Sequence, residues 1–353
     1  MTVGMVRTVL GDIEPSALGI TLTHEHLLIT FDRWKRQAGE AAGARQPADD
    51  PRASKAISLE TVGWVRRNWP LHPENSRLTD QILAMTELQR FKDAGGRTVV
   101  DATNPDLDRN AGALARIAAA TGVQIVMGTG RYVETSHPLD MAARSEDELY
   151  EEVVRDVTEG ADGTAVKSGI IGEIGCSAPL HGHERKALRA AARAQAETGA
   201  PLLLHPGRAV SSPLELIAIV ADAGGDPART IMSHIDRTVF DLADMTALAQ
   251  TGCTLEFDLF GQESSYYPLS PIDMPNDATR VDHLIRLTDA GFGTQIVIAH
   301  DICRKTSLCA YGGEGYTHIL ENIVPLMRRK GMTQAQIDAI LIQNPARLLA
   351  MAK

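Results

Sequence analysis

The segment Gly19–Leu28, GITLTHEHLL, joins an apolar run to two histidines that stand two positions apart. Because side chains alternate along a strand, His24 and His26 point to the same side of it. The sequence contains eight apolar, β-branched runs, and most of them follow a glycine-containing turn. These runs cover Gly19–Thr23, Thr98–Ala102, Gln124–Gly128, Gly169–Ile174, Pro201–Leu204, Thr230–Ser233, Cys253–Phe257 and Gln295–Ala299.

The order of the elements predicts the fold class. Near-continuous apolar runs are typical of parallel strands that are buried on both faces. Helical patterns such as Glu184–Thr198 and Asp282–Ala290 separate most of the runs. Eight strands alternating with helices predict an α/β fold, a (β/α)8 TIM barrel in which residues 1–353 form a single domain. A doubly wound sheet is the alternative, but no GxGxxG motif follows the first strand.

Two connections in this barrel are unusually long. One runs from about residue 32 to 79 after strand 1, and it includes the small-residue stretch AGEAAGARQPADDPRAS. The other runs from residue 258 to 280 after strand 7, and it holds three aromatic residues. Long loops at the carboxyl ends of barrel strands are typical of functional lids, so we predict a lid after strand 7.

Composition excludes several classes of partner. The chain has 353 residues, with 35 Lys and Arg against 45 Asp and Glu, so its formal net charge is −10. An acidic surface disfavours nucleic acid and anionic membranes, and no apolar run reaches the length of a membrane span. The four cysteines show no CxxC spacing. We therefore predict a cytoplasmic protein with reduced thiols that binds a small molecule.

Histidines and carboxylates recur where the predicted strands end. Besides His24 and His26, these residues are Glu173 on strand 4, His205 on strand 5, His234 on strand 6 and Asp301 on strand 8. Barrel enzymes place their chemistry at these strand ends, and such side chains ligate divalent metals. His300 is adjacent to Asp301 and therefore faces the opposite side, so we interpret it as structural.

Several segments resemble the phosphotriesterase family of the amidohydrolase superfamily, in particular its phosphotriesterase-related or resiniferatoxin-binding branch. They include LGxxEPSxLGxTLTHEHL (10–27), GADGTxxKxGIIGEIGCSxPL (160–180), HPGR (205–208) and SHIDR (233–237). The resemblance covers essentially the whole chain and implies two divalent metal ions. His24, His26 and Asp301 would hold the more buried ion, and His205 and His234 the more exposed one. Glu173 stands where founding members carry a carbamylated lysine, which argues against organophosphate hydrolysis as the main activity.

The resemblance also implies a mechanism. A hydroxide shared by the two ions would attack a carbonyl, and Asp301 would take up and return the proton. Tyr132 is a candidate to donate a hydrogen bond to the developing oxyanion, with a packing role as the alternative. Zinc is the expected metal, although the same ligands suit manganese, iron, cobalt or nickel.

Residues for substrate binding are predicted from the segments that follow the strands. The candidates for holding an anionic group are five basic residues that follow strand ends: Arg208, Arg304, Lys305, Arg131 and Arg237. Taken singly, such a residue more often lies on the surface or in a salt bridge. Asp258 shares a strand face with Glu256, and it is predicted to contact substrate or to orient a ligand. Tyr266 would cover an apolar group, or else lie exposed in its loop.

The resemblance implies hydrolysis of the amide bond in a small anionic N-acyl amino-acid-like compound of the N-acetyltaurine type. A lactonase is the alternative, because the same nucleophile attacks an ester carbonyl. Phosphotriester hydrolysis would be a weak side activity. A non-catalytic ligand-binding protein would need neither the acid/base Asp301 nor a shared carboxylate. The family also implies a possible homodimer.

Overall fold

The computed structural model describes residues 4–34, 50–264, 267 and 269–352. Eight strands form the predicted TIM barrel, and we number them β1 to β8. Their bounds are Thr21–Glu25, Thr98–Asp101, Gln124–Met127, Ile171–Gly175, Leu202–His205, Thr230–Met232, Thr254–Phe257 and Ile296–Ile298. Strand β1 therefore lies two residues later than the predicted run 19–23: it continues through His24 and ends at Glu25, and His26 follows it.

The strands pair in chain order. Strands β1 to β3 form one parallel sheet and β4 to β8 another. Between β3 and β4, the amide of Gly172 donates to the carbonyl of Thr129 at 2.6 Å. Between β8 and β1, the amide of Asp301 donates to the carbonyl of His24 at 3.1 Å, and the Thr23 hydroxyl donates to Ile298 at 3.4 Å. These bonds close the ring of strands, so all eight carboxyl ends meet at one mouth.

Helices connect the strands on the outside of the barrel. Seven of them have the bounds Gln81–Asp93, Ala111–Thr121, Glu146–Thr158, Gly182–Thr198, Ser212–Asp222, Leu242–Ala249 and Asp277–Leu287. Three more, Val324–Arg329, Gln334–Asp338 and Asn344–Leu349, follow β8. The predicted helix 184–198 lies within the fourth of these, which ends at Gly199 with a φ of 70°. Glycine adopts this left-handed conformation without strain, and so it ends the helix.

The described part of the long connection after β1 contains secondary structure. It includes a short strand pair, Ile29–Thr30 with Arg77–Leu78, and the helix Val62–Arg67. Residues 35–49, which hold most of the small-residue stretch, lie outside the described residues, and the end of that stretch forms the 3-10 helix Pro51–Ser54. The rings of Phe31, Trp34 and Trp69 lie with centroids 6.2 to 6.3 Å apart. This insertion therefore brings an aromatic cluster to the mouth of the barrel.

The strands bury side chains on both faces. A compact inner cluster includes Val100, Val126, Leu203, Ile231 and Val297, which come from five different strands. Alternate residues of the same strands belong to the larger core that packs against the helices. Aliphatic side chains from these strands thus fill the interior of the barrel below the mouth. In the described part of the chain, no helix has the length and apolar character needed to cross a membrane.

The junction of β3 and β4 provides a test of this close packing. A Cβ added to Gly128 would lie 2.1 Å from the carbonyl oxygen of Gly172, which belongs to the backbone and cannot turn away. We expect Gly128→Ala to lower the free energy of unfolding by about 1–3 kcal/mol or more, measured by urea denaturation. Gly182→Ala is the control, since nothing lies within 4 Å of its Cβ position. Equal stability of both variants would contradict the close approach.

Candidate metal centre

The six predicted ligands converge at the mouth of the barrel. The carboxylate of Glu173 is central to them, with Oε2 2.6 Å from His205 Nδ1 and 3.7 Å from His24 Nε2. Its other oxygen, Oε1, lies 3.3 Å from His26 Nε2. Residues at or near the carboxyl ends of strands β1, β4 and β5 therefore meet in one cluster.

The cluster has two halves that share Glu173. In one half, Asp301 Oδ1 lies 3.2 Å from His26 Nε2 and 3.9 Å from His24 Nε2. In the other half, His234 Nε2 lies 2.9 Å from His205 Nδ1 and 3.8 Å from Glu173 Oε2. These are the two ligand sets that the sequence predicts, each completed by one carboxylate.

The donor set fits divalent metal ions. Ligand atoms of His24, His26 and Asp301 lie within 4.8 Å of one another, as do those of His24, Glu173 and His234. His24 Nε2 is buried and has no hydrogen-bond partner in the described residues. A buried polar atom without a partner is costly, and a metal ion would satisfy it. Imidazole and carboxylate donors are the ligands that zinc and similar transition metals bind.

The charge of the cluster favours a cation. Although burial lowers it, hydrogen bonds to Asp301 and Glu173 raise the pKa of His26 to about 9. The same negative charge that favours a proton there favours a metal ion. Burial, together with the neighbouring His234, lowers the pKa of His205 well below its ordinary value. This imidazole is therefore neutral, as a metal ligand must be.

Two ligands lie on left-handed backbone just beyond their strands. His234 has a φ of 55° and Asp301 a φ of 52°. This conformation costs a non-glycine residue about 1–3 kcal/mol, so the surrounding contacts must hold it. The His234 amide donates to Asp258 at 3.1 Å, and the Asp301 amide donates to the His24 carbonyl.

Asp258 orients two of the histidines. Its Oδ2 lies 2.9 Å from His24 Nδ1 and its Oδ1 lies 2.8 Å from His234 Nδ1. Burial alone would raise the pKa of Asp258, but its charge attraction to His234 and hydrogen bonds from both rings lower it well below the usual range. The ionised carboxylate accepts both Nδ1 hydrogens, which leaves each Nε2 lone pair facing the cluster. Thr103 contacts His26 Nδ1 in the same way at 2.9 Å.

His300 has the structural role that its position predicts. It faces away from the cluster, with Nδ1 2.6 Å from Glu25 Oε1. Glu25 also accepts the amides of His300 at 2.9 Å and Ile302 at 3.0 Å, on either side of Asp301. Sequence analysis missed Glu25, although alternation between His24 and His26 already placed it on the opposite face.

A cavity of about 90 Å³ lies over the cluster. The described residues that line it include Glu173, Asp301, Tyr132, Arg208, Arg237, Arg304, Phe31, Trp34, Trp69, Leu259, Gln262, Tyr267 and Leu269. The Tyr132 hydroxyl lies 3.4 Å from His205 Nδ1 at the edge of the cluster. Four of the lining residues, Leu259, Gln262, Tyr267 and Leu269, belong to the loop after β7, so the loop predicted to form a lid lines part of the cavity. The aromatic wall of Phe31, Trp34 and Trp69 was not predicted.

Only some of the residues predicted to bind substrate line the cavity. Arg208 and Arg304 line the cavity. Lys305 does not, because it forms an ion pair with Glu74 at 2.9 Å, and its prediction is wrong in this respect. Asp258 is fully buried behind the histidines, so it orients ligands and does not contact substrate. Tyr266 lies outside the described residues.

Arg131 and Arg237, which also follow strand ends, differ from each other. Arg131 is bound by Asp106 at 2.9 Å and by Glu152 at 2.6 Å, so it is structural. Arg237 lines the cavity, and its Nη2 lies 3.1 Å from His205 Nε2.

A barrel with imidazoles and carboxylates gathered at its mouth defines a metal-dependent hydrolase. The chain belongs to the phosphotriesterase family, whose model matches residues 4–349. This confirms the resemblance found in the sequence. The chain is 44% identical over 348 residues to N-acetyltaurine hydrolase of Bos taurus, and the aligned region covers 98% of each protein.

Solved structures agree with this assignment. A resiniferatoxin-binding protein from Rhodobacter sphaeroides has a TM-score of 0.92 and 35% identity, covering 98% of this chain and 95% of that one. A lactonase from Listeria monocytogenes has a TM-score of 0.79 and 26% identity, covering 99% and 100% respectively. Both similarities extend over the whole barrel.

The role of Asp258 can be tested by metal binding. Asp258→Asn presents an amide nitrogen to one of the two imidazoles, which disturbs that ring. We expect metal affinity to fall about 10–100-fold, measured by competition with a chromophoric chelator. Glu256→Gln is the matched control on the same strand face, because its contact with His24 Nδ1 is longer, at 3.4 Å. Unchanged affinity in Asp258→Asn would show that the carboxylate does not orient the ligands.

Proposed function

We propose that this chain hydrolyses the amide bond of small anionic N-acyl compounds, with N-acetyltaurine as the leading substrate. The observation that carries the proposal is the full-length similarity to a protein named N-acetyltaurine hydrolase. The geometry supports it, because a small cavity with basic and aromatic walls lies directly over the ligand cluster. An acetyl group suits a cavity of about 90 Å³.

The six-residue cluster would hold two divalent ions. His24, His26 and Asp301 would bind one, His205 and His234 the other, and Glu173 would be shared between them. Zinc is the proposed metal, since the donors are imidazole and carboxylate groups. When bound, the ions supply Lewis-acid polarisation of the carbonyl and lower the pKa of water toward neutrality.

Asp301 is the proposed general base and acid. Its side chain is 17% exposed, against 9% or less for the other five ligands, so it is the ligand most open to the cavity. Water forms a bond to the amide carbon and gives a proton to Asp301. Asp301 then returns the proton to the amide nitrogen as the carbon–nitrogen bond breaks. The products are a carboxylic acid and an amine.

Tyr132 is proposed to stabilise the oxyanion that forms on the carbonyl oxygen. Its hydroxyl lies at the edge of the cavity, and the side chain is almost fully buried. Burial raises the pKa of Tyr132 well above its ordinary value, so the phenol keeps its hydrogen at neutral pH. A neutral phenol can donate that hydrogen to a developing negative charge.

Lactone hydrolysis is the second candidate. The similarity to a lactonase over the full barrel favours it, and water attacks an ester carbonyl in the same geometry. The two candidates differ in the leaving group, because an amine must be protonated as it departs and an alkoxide is less demanding.

A substrate panel on the zinc-loaded protein tests the proposal. We expect N-acetyltaurine to have the highest kcat/KM, sugar lactones a lower value and paraoxon the lowest, measured by release of amine, acid or nitrophenol. Prolonged dialysis against a chelator should abolish turnover, and zinc or manganese should restore it. Full turnover by metal-free protein, or a lactone as the best substrate, would overturn the amide proposal.

Asp301→Asn tests the proton transfer. The amide cannot accept a proton, so we expect kcat to fall by about 10²–10⁴-fold, while circular dichroism stays unchanged. Zinc content must be measured in parallel, because Asp301 is also a proposed ligand. Retained turnover in a variant that keeps its metal would exclude Asp301 as the base.

A further inference from the structure

Three arginines, Arg208, Arg237 and Arg304, line the cavity. None of them forms a salt bridge with a carboxylate in the described part of the chain. The other buried arginines of the described residues are paired, as Arg280 is with Asp236 at 2.7 Å and Arg109 with Asp162 at 2.7 Å. The carboxylates that line the cavity, Glu173 and Asp301, belong to the ligand cluster, so the arginines are left to face a bound anion.

Arg237 is the most buried of the three, at 3% exposure. Its hydrogen bonds go to neutral groups only: His205 Nε2 at 3.1 Å, the Pro206 carbonyl at 3.3 Å and the Thr238 hydroxyl at 3.2 Å. A buried charge without a counter-ion is costly unless a ligand supplies one. Arg237 is thus a buried cation that lines the substrate cavity and has no carboxylate partner among the described residues.

The contact between Arg237 and His205 depends on the state of the histidine. An arginine only donates hydrogens, so His205 Nε2 accepts here, and the ring hydrogen lies on Nδ1 facing Glu173 at 2.6 Å.

We propose that Arg237 binds the anionic group of the substrate, the sulfonate of N-acetyltaurine, and thereby selects anionic over neutral amides. This inference rests on the proposed function for the identity of the anion. A guanidinium presents a planar pair of donors that matches sulfonate and carboxylate oxygens.

The other two arginines are less suited to bind the anionic group of the substrate. Arg208 is exposed and donates to the Tyr267 hydroxyl at 3.1 Å, so it lies at the rim. Arg304 lies 4.9 Å from the centre of the Trp69 ring and donates to Gln262. Both add to the positive potential of the cavity, but each is less buried than Arg237.

Binding of propane-1-sulfonate to the zinc-loaded protein, measured by calorimetry, tests the proposal without turnover. We expect Arg237→Gln to weaken binding at least about 30-fold. Arg237→Lys keeps the positive charge but loses the planar pair of donors, so its affinity for the sulfonate should lie between those of the wild type and Arg237→Gln. Arg185→Gln is the control, because its guanidinium is paired with Glu215 on the surface. Zinc content is measured for each variant, since Arg237 contacts a proposed ligand. Undiminished sulfonate binding by zinc-loaded Arg237→Gln would overturn the inference.

A kinetic comparison separates this inference from the proposed function. For Arg237→Gln we expect the loss of kcat/KM with N-acetyltaurine to exceed the loss with the neutral N-propylacetamide by at least about 30-fold. Equal losses with both substrates would assign Arg237 a structural role and overturn the inference. If the wild type hydrolysed neither amide but bound sulfonate through Arg237, the proposed function would fail while the anion site stood.

Discussion

The site depends on one buried carboxylate that holds two imidazole rings from different strands. Asp258 accepts hydrogen bonds from the Nδ1 atoms of His24 and His234, at 2.9 and 2.8 Å, and so fixes both tautomers. These two hydrogen bonds direct the Nε2 lone pairs of both rings toward the cluster around Glu173. Because these strands meet only when the barrel closes, the arrangement of the ligands follows from the fold. The centre is therefore built by the strands, whereas the loops provide the walls of the cavity.

The strand pattern predicted the barrel and the set of residues that meet at its mouth. Parallel strands in a barrel end at the same side, so His205, Glu173 and the β1 histidines could be grouped without coordinates. Alternation also separated His300 from Asp301. The end of β1 was placed two residues too early, because the polar residues His24 and Glu25 were excluded from the apolar run although they continue the strand.

The substrate-binding residues were predicted less well, for a physical reason. Side chains alternate between two faces only as far as the strand continues. The left-handed backbone at Asp301 then turns the chain. The spacing of residues in the sequence therefore did not indicate that Lys305 would pair with Glu74. Arg237 lies in a short helix after β6, where its burial depends on neighbours distant in sequence. Likewise, Trp34 and Trp69 meet only because the insertion after β1 folds back on itself.

The three hydrogen bonds of Glu25 have a mechanical consequence. They grip the chain on both sides of Asp301, and the gripping residue stands between His24 and His26 on β1. Glu25 thus couples the position of Asp301 to that of the two histidines on β1. His205 and His234 lie on separate strands, and two carboxylates connect them to this group: Glu173 between the rings and Asp258 behind them. The spacing between the two halves of the centre is therefore set by two carboxylates on opposite sides of the imidazole rings.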